Sequence, residues 1–164
     1  MTSSPEGRPD GCGEPRSRYV IDCEGAQVRV HARSLATVLS IDGEIDASNA
    51  DLVAEVVRRF ARLKAPLVLD VSQLDFLGSA GLRVLLVLNE EHRQAQLHNN
   101  VVSGAALRRL TGIVTDHGLP VVASVPEALQ NTHEFVHARR RFLAALARQG
   151  EPQHNAPWRP ASTP

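Results

Sequence analysis

The residues Asp70-Val71-Ser72-Gln73-Leu74-Asp75-Phe76-Leu77-Gly78-Ser79-Ala80-Gly81-Leu82 bring one hydroxyl to a place suited to phosphate chemistry. Leu67–Val71 is a short continuous apolar run of the kind that forms an internal strand. A turn follows, and Gly81–Arg93 has the apolar content of a well-buried helix. Ser79 therefore lies at a helix entrance, where open backbone N–H groups and the helix dipole favour an added negative charge. These residues leave two readings open, a phosphoacceptor or a helix N-cap. A serine-hydrolase nucleophile fits poorly. The G-x-S-x-G elbow needs glycine two positions before the serine, where Leu77 stands, and no histidine base is identifiable.

A second constellation is His133-Glu134-Phe135-Val136-His137, an H-E-x-x-H pattern. On a helix its two histidines share a face, and the glutamate between them could activate a zinc-bound water. The residues that follow, Ala138-Arg139-Arg140-Arg141, supply no third ligand. The apolar stripe of this helix (Ala128, Leu129, Thr132, Phe135, Val136, Leu143 and Leu146) leaves His133 beside it and His137 nearly opposite, toward solvent. The pair reads first as solvated histidines, with a zinc hydrolase using His133, Glu134 and His137 as the rival. Asp42, Glu44, Asp46, Asp70 and Asp75 read as turn and strand-end carboxylates near one edge of a sheet rather than as a metal cluster. Arg139-Arg140-Arg141 with Arg148 reads as a solvated helix face. Arg139 nevertheless falls on the apolar stripe, so either its stem packs while its head reaches water, or the helix leaves the body near it. Gly-rich phosphate loops are missing, so neither a nucleotide nor another cofactor is expected.

Composition bounds what positions these groups. The chain has 164 residues, enough for one domain with a real core. Its hydrophobic content is 43% and its aromatic content 4%, so aliphatic packing dominates. Eighteen basic and 18 acidic residues balance to a net charge of +0, which argues against a broad nucleic-acid or membrane footprint. Lys64 is the only lysine, a bias expected of GC-rich DNA rather than of chemistry. Cys12 and Cys23 form neither a zinc spacing nor a disulfide framework, and no apolar run reaches the ~18–20 residues that span a bilayer. Met1–Arg18 lacks the apolar core of a signal peptide, so the chain is expected in the reducing cytoplasm.

The domain is expected over 19–149, between a disordered N-terminal arm (1–18) and a disordered Pro-rich tail (150–164). Gln27–Arg33 alternates as a half-exposed strand, and Leu35–Ile41 carries a second. Asp42-Gly43-Glu44-Ile45-Asp46 reads as a turn-and-bulge segment. Ser48 with Asp51 three residues on predicts a helix N-cap box. The helix it opens would bury Leu52, Val53, Val56, Val57, Phe60 and Leu63, and end at Ala65-Pro66. Strands follow at Leu67–Val71, Leu97–Val102 and Pro120–Ala123. Helices follow at Gly81–Arg93, Gly104–Thr111 and from Pro126 to about Gln149. The order β-β-α-β-α-β-α-β-α implies an α/β fold. Its mixed sheet of about five strands, with parallel crossovers and an antiparallel edge, packs with about four helices.

Three motifs stand in order along this frame: Gly43-Glu44-Ile45-Asp46, Asp75-Phe76-Leu77-Gly78-Ser79-Ala80-Gly81-Leu82 and Leu110-Thr111-Gly112-Ile113. They resemble the G-E-(I/L)-D, D-F-(I/M/L)-D-S-(S/T)-G-L and L-T-G-L motifs of the STAS domain, shared by sulfate transporters and anti-sigma factor antagonists. The resemblance runs from about Ala26 to Leu146. It implies a STAS-like fold and a non-enzymatic interaction module in transcription regulation. In soluble antagonists the serine matching Ser79 is phosphorylated by the partner, an anti-sigma factor that is also an ATP-dependent serine kinase. The dephosphorylated antagonist binds that partner and frees the sigma factor. Asp46 matches the acidic residue near the phosphoacceptor. Gly78 stands where the family has Asp, and Ala80 where it has Ser or Thr.

The resemblance thus implies Ser79 as phosphoacceptor. The partner-binding surface would comprise Asp42, Gly43, Glu44, Asp46, Gly78, Ala80, Gly81 and Arg83. Phosphorylation adds about −1.5 to −2 charge, and at a contact shaped for a neutral hydroxyl that charge repels. An alternative within the family is a soluble STAS subunit of a membrane transporter, bound to its ATPase.

Overall fold

A computed structural model describes residues 19–114 and 116–149. The expectations for 1–18 and 150–164, and Cys12 with them, lie outside these residues. The first strand, β1 (Tyr19–Asp22), is a β-branched and aromatic run at the sheet edge, with Tyr19 and Val20 exposed. It pairs antiparallel with β2 (Ala26–Ala32), where Ala26, Val28 and Val30 are buried and Gln27 is exposed. β2 turns into β3 (Thr37–Ile45) through a short hairpin closed by the Arg33 N–H on the Ala36 carbonyl at 2.9 Å. Helix α1 (Ala50–Ala61) leads to β4 (Leu67–Leu77), and α2 (Ser79–Gln94) to β5 (Asn99–Val102). Helix α3 (Ala105–Thr111) leads to β6 (Val121–Val122), and α4 (Val125–Gln149) closes the described chain.

Spatial order follows chain order, β1-β2-β3-β4-β5-β6. The first three strands are antiparallel, and β3 through β6 run parallel because a helix intervenes at each step. β4 is buried on both faces over Leu67, Val68 and Leu69 and divides the core in two. On one side Leu67, Leu69 and Val71 meet Val53 and Val57 of α1, Leu85 and Leu88 of α2, and Leu107 of α3. On the other, Val38, Val68, Val102 and Val122 meet Ala128 of α4.

The expected fold class holds, with corrections. The described residues contain six strands, the edge strand Tyr19–Asp22 adding one to the five expected; the four helices are as expected. Asp42–Ile45 is no turn but the end of β3. Register shifts between Ser40 and Asp42, and between Gly43 and Glu44, supply the bulge within the strand. β4 likewise continues six residues past Val71, to Leu77. Ser48 does not cap α1. Asn49 occupies the cap position without a side-chain cap bond, while the Ser48 hydroxyl donates to Asp46. The buried face of α1 is Ala50, Val53, Ala54 and Val57, and Leu52 and Leu63 are exposed. Val56 and Phe60, also expected on this face, are partly buried against the same core.

Candidate functional site

The parallel pair β3–β4 ends in register, Glu44 beside Phe76 and Ile45 beside Leu77. The Gly78 N–H then donates to the Ile45 carbonyl at 2.8 Å, so the turn into α2 is tied to the end of β3. Gly78 is the extended cap residue of α2 (φ −81°, ψ 171°), and its carbonyl accepts the Leu82 N–H at 3.0 Å. The N–H groups of Ser79, Ala80 and Gly81 precede that first helical bond, at the open end of a 16-residue helix. Ser79 is the first helical residue and is exposed, and among the described residues its hydroxyl makes no hydrogen bond. The N-cap reading of Ser79 is therefore replaced, with Gly78 at the cap.

Gly81 is buried under this turn. A Cβ there would lie 2.5 Å from Leu77 Cδ1 and 2.8 Å from Ile45 Cγ2, so it seats the first turn of α2 on the strand ends. Arg83 is exposed on the next turn. With Ala47, Asp51, Ala80 and Val84 it lines a shallow hollow of about 380 Å³ between α1 and α2. Beside the strand ends, Asp46 Oδ1 accepts the Ser48 N–H at 2.7 Å and the Ser48 hydroxyl at 2.6 Å. The Ser48 hydroxyl and then its N–H hold the Asp46 carboxyl below the usual range, against a smaller opposing effect of desolvation. Asp46 is thus a fixed negative charge at the rim of the patch.

Sequence reasoning missed Asn49, which is 2% exposed. Its side chain accepts the Asp46 N–H at 3.0 Å and donates to the carbonyls of Glu44 (2.8 Å) and Glu24 (3.2 Å). One amide therefore joins the β1–β2 turn, the end of β3 and the entry to α1. The available signal was its place just before the helix, where Asn competes with Ser as a capping residue.

Of the expected contact residues, Gly78 and Ala80 flank Ser79 in the chain, Arg83 follows one turn later on α2, and Glu44 and Asp46 stand at the end of β3 beside the turn into α2, while Gly81 seats that turn from beneath. Asp42 and Gly43 lie lower in the sheet, opposite Gln73 and Leu74 and roughly 10 and 7 Å of strand before Ile45. Asp42 is held by Arg29 at 2.6 Å. Gly43 has φ +92°, and an added Cβ there would run into the Gly25 carbonyl, which also accepts the Glu44 N–H at 2.9 Å. These two residues shape the bulge rather than the patch.

His133 and His137 lie together on the exposed side of α4, ring centroids 4.1 Å apart. Glu134 accepts a hydrogen bond from Gln130 at 3.2 Å. Among the described residues no third His, Cys, Asp or Glu joins them in a cluster that could hold a metal. No helix among those residues is long and apolar enough to cross a membrane.

The STAS domain family matches residues 26–103, the stretch from β2 through the end of β5 that builds this patch. The osmosensory protein A of Mycobacterium tuberculosis is 36% identical over 131 residues, 77% of this chain and 83% of that protein. This chain belongs to the STAS domain family. The STAS match stops short of α3 and α4, so it is narrower than the resemblance read to Leu146. The anti-sigma-F factor antagonist RsfB of Mycobacterium tuberculosis is 38% identical over 73 residues, 44% of this chain and 60% of that protein. An anti-sigma factor antagonist from Mycobacterium paratuberculosis superposes with a TM-score of 0.56 at 27% identity, over 66% of this chain and 94% of that one. Both of these relatives are named as anti-sigma factor antagonists.

Proposed function

We propose that the chain is an anti-sigma factor antagonist. It docks on an anti-sigma factor through the patch around Ser79, releases the sigma factor, and is dismissed when Ser79 is phosphorylated by a serine kinase, the anti-sigma factor itself in the simplest case. The observation that carries this is the setting of Ser79. It is an exposed hydroxyl on the first residue of α2, over open backbone N–H groups and beside the fixed charge of Asp46. A phosphate there is compatible with the helix and adverse to a close contact, so it would act on binding and leave the fold intact. Soluble antagonism makes the cytoplasm the site of action. The osmosensory relative makes osmotic stress the first condition under which to look for the complex.

The test mixes the chain with a candidate anti-sigma factor and ATP, and follows phosphate by intact mass and affinity by calorimetry. Wild type should gain one phosphate and Ser79→Ala none. Ser79→Glu should bind about a hundredfold more weakly, which corresponds to about 2.7 kcal/mol. Continued labelling of Ser79→Ala, or equal binding of Ser79→Glu, defeats the assignment.

A further inference from the structure

Helix α4 does two different things along its length. Ala128, Thr132, Phe135, Arg139, Phe142 and Leu146 follow one another at spacings of four and three, a single seam along one side of a helix. The first part of the seam is buried on the sheet, with Ala128 and Thr132 fully enclosed. Farther on, Phe142 is 63% exposed, Leu143 54% and Leu146 48%. From Arg139 to Gln149 the helix carries its apolar stripe clear of the sheet for about 16 Å.

Two adjoining hollows open where α4 leaves the body, of about 650 Å³ and 220 Å³, and share Leu97, His98, Phe135 and Arg139. The His98 ring stacks on Phe135 at 4.4 Å and forms an apolar floor. Lys64 and Arg140 stand at the smaller hollow, and no carboxylate lines either one. Among the described residues Lys64, Arg139 and Arg140 enter no ion pair. After Glu134, α4 has Arg139, Arg140, Arg141 and Arg148 and no acidic residue.

We infer that the α4 arm and the hollows at its base form a docking surface for an acidic, amphipathic helix of a partner protein. Its apolar side would continue the seam over Phe142 and Leu146, and its carboxylates would meet the unpaired cations. The charge pattern selects this occupant. Two copies of the arm side by side would set arginine against arginine. The terminal segments 1–18 and 150–164 each balance their acidic and basic residues, so neither complements the arm. The concave hollows, with Arg139 within the apolar stripe, suit a side-chain-bearing helix better than a flat bilayer. This surface lies where β4 begins, 11 strand residues from the end that leads to Ser79. It is independent of the proposed antagonist patch.

The experiment uses the full chain and a fluorescein-labelled 18-residue peptide, helical, with leucine along one stripe and glutamate elsewhere. Fluorescence anisotropy should give saturable binding that weakens about tenfold as sodium chloride rises from about 0.05 to 0.3 M. Combined Arg139→Glu and Arg140→Glu, and separately Phe142→Ser with Leu146→Ser, should each weaken binding by about tenfold while circular dichroism stays native. Ser79→Glu should bind like wild type, and the same peptide with lysine for glutamate should not bind. The inference is overturned if the acidic peptide does not saturate the chain or if a scrambled peptide lacking the stripe binds equally. It also falls if either pair of substitutions leaves binding unchanged, or if the chain sediments with phosphatidylglycerol vesicles and ignores the peptide.

Discussion

Gly78 and Gly81 sit three residues apart and limit substitution in opposite ways. At Gly81 the space is already taken by Leu77 and Ile45. At Gly78 a Cβ would lie 3.4 Å from Phe76 Cε1, 3.5 Å from the Ile45 carbonyl oxygen and 3.6 Å from Asp46 Cα, all ordinary contacts, and its φ of −81° suits any residue. The aspartate of the family motif therefore fits here, and its absence is not imposed by the backbone. Gly78→Asp should add a side-chain cap to α2 and raise stability by only a few tenths of a kcal/mol, since glycine is already a tolerable cap. Urea denaturation would check it. In the same measurement Ser79→Ala should stay within about 0.5 kcal/mol of wild type, because Ser79 does not cap the helix. A loss near 1 kcal/mol would restore the cap role.

Helices α1 and α2 bury small or branched aliphatic residues against one face of the sheet, and the Arg58 guanidinium clamps Glu91 between them at 2.8 and 2.9 Å. That pair is solvent-facing and contributes modestly; the buried side chains decide these helices. Helix α4 is the exception, packed at its start and free along its second half. Two truncations separate the regimes. Leu88→Ala, at a fully buried position of α2, should cost about 2–5 kcal/mol. Phe142→Ala removes a larger side chain, yet should cost under about 0.5 kcal/mol, since it leaves no cavity. Chemical denaturation of both variants reads the difference, and equal losses would mean that the end of α4 packs on the body after all.

The domain as a whole carries an acid-sensitive pair. His31 is held below its usual 6.5 by desolvation and then by Arg33 and Arg29, against the pull of Asp70. His98, stacked on Phe135, is held below 6.5 by burial. The unfolded chain therefore takes up these protons near pH 6.5, while the folded chain resists until lower pH. Stability should be fully present above that value and decline as pH falls through the interval below it. His98→Phe, which keeps a ring on Phe135 and removes the proton, should flatten the fall in melting temperature between about pH 7 and pH 5. An unchanged slope would exclude His98 as a contributor.

Local patterns determined much of this protein. The alternation of Val28 and Val30 marks a strand, the apolar run from Leu67 an inner strand, and Pro126 the start of the last helix; the three motifs carry the resemblance to the STAS family. Periodicity reports which side of an element is apolar, so these features were legible. It does not report what stands opposite. Leu52 and Leu63 read as core but face solvent: Ala50, Val53, Ala54 and Val57 take the interface in α1, and Leu63 lies in the turn beyond the end of the helix at Ala61. Asp42–Ile45 read as a turn because Asp42, Gly43 and Glu44 disfavour strands, yet pairing with β2 and β4 holds it extended. Asn49 became a three-way tie only when the β1–β2 turn came within reach of its amide. Likewise the stripe on α4 continues unbroken in sequence, and only the extent of the sheet beneath it decided where it ends as core and begins as surface.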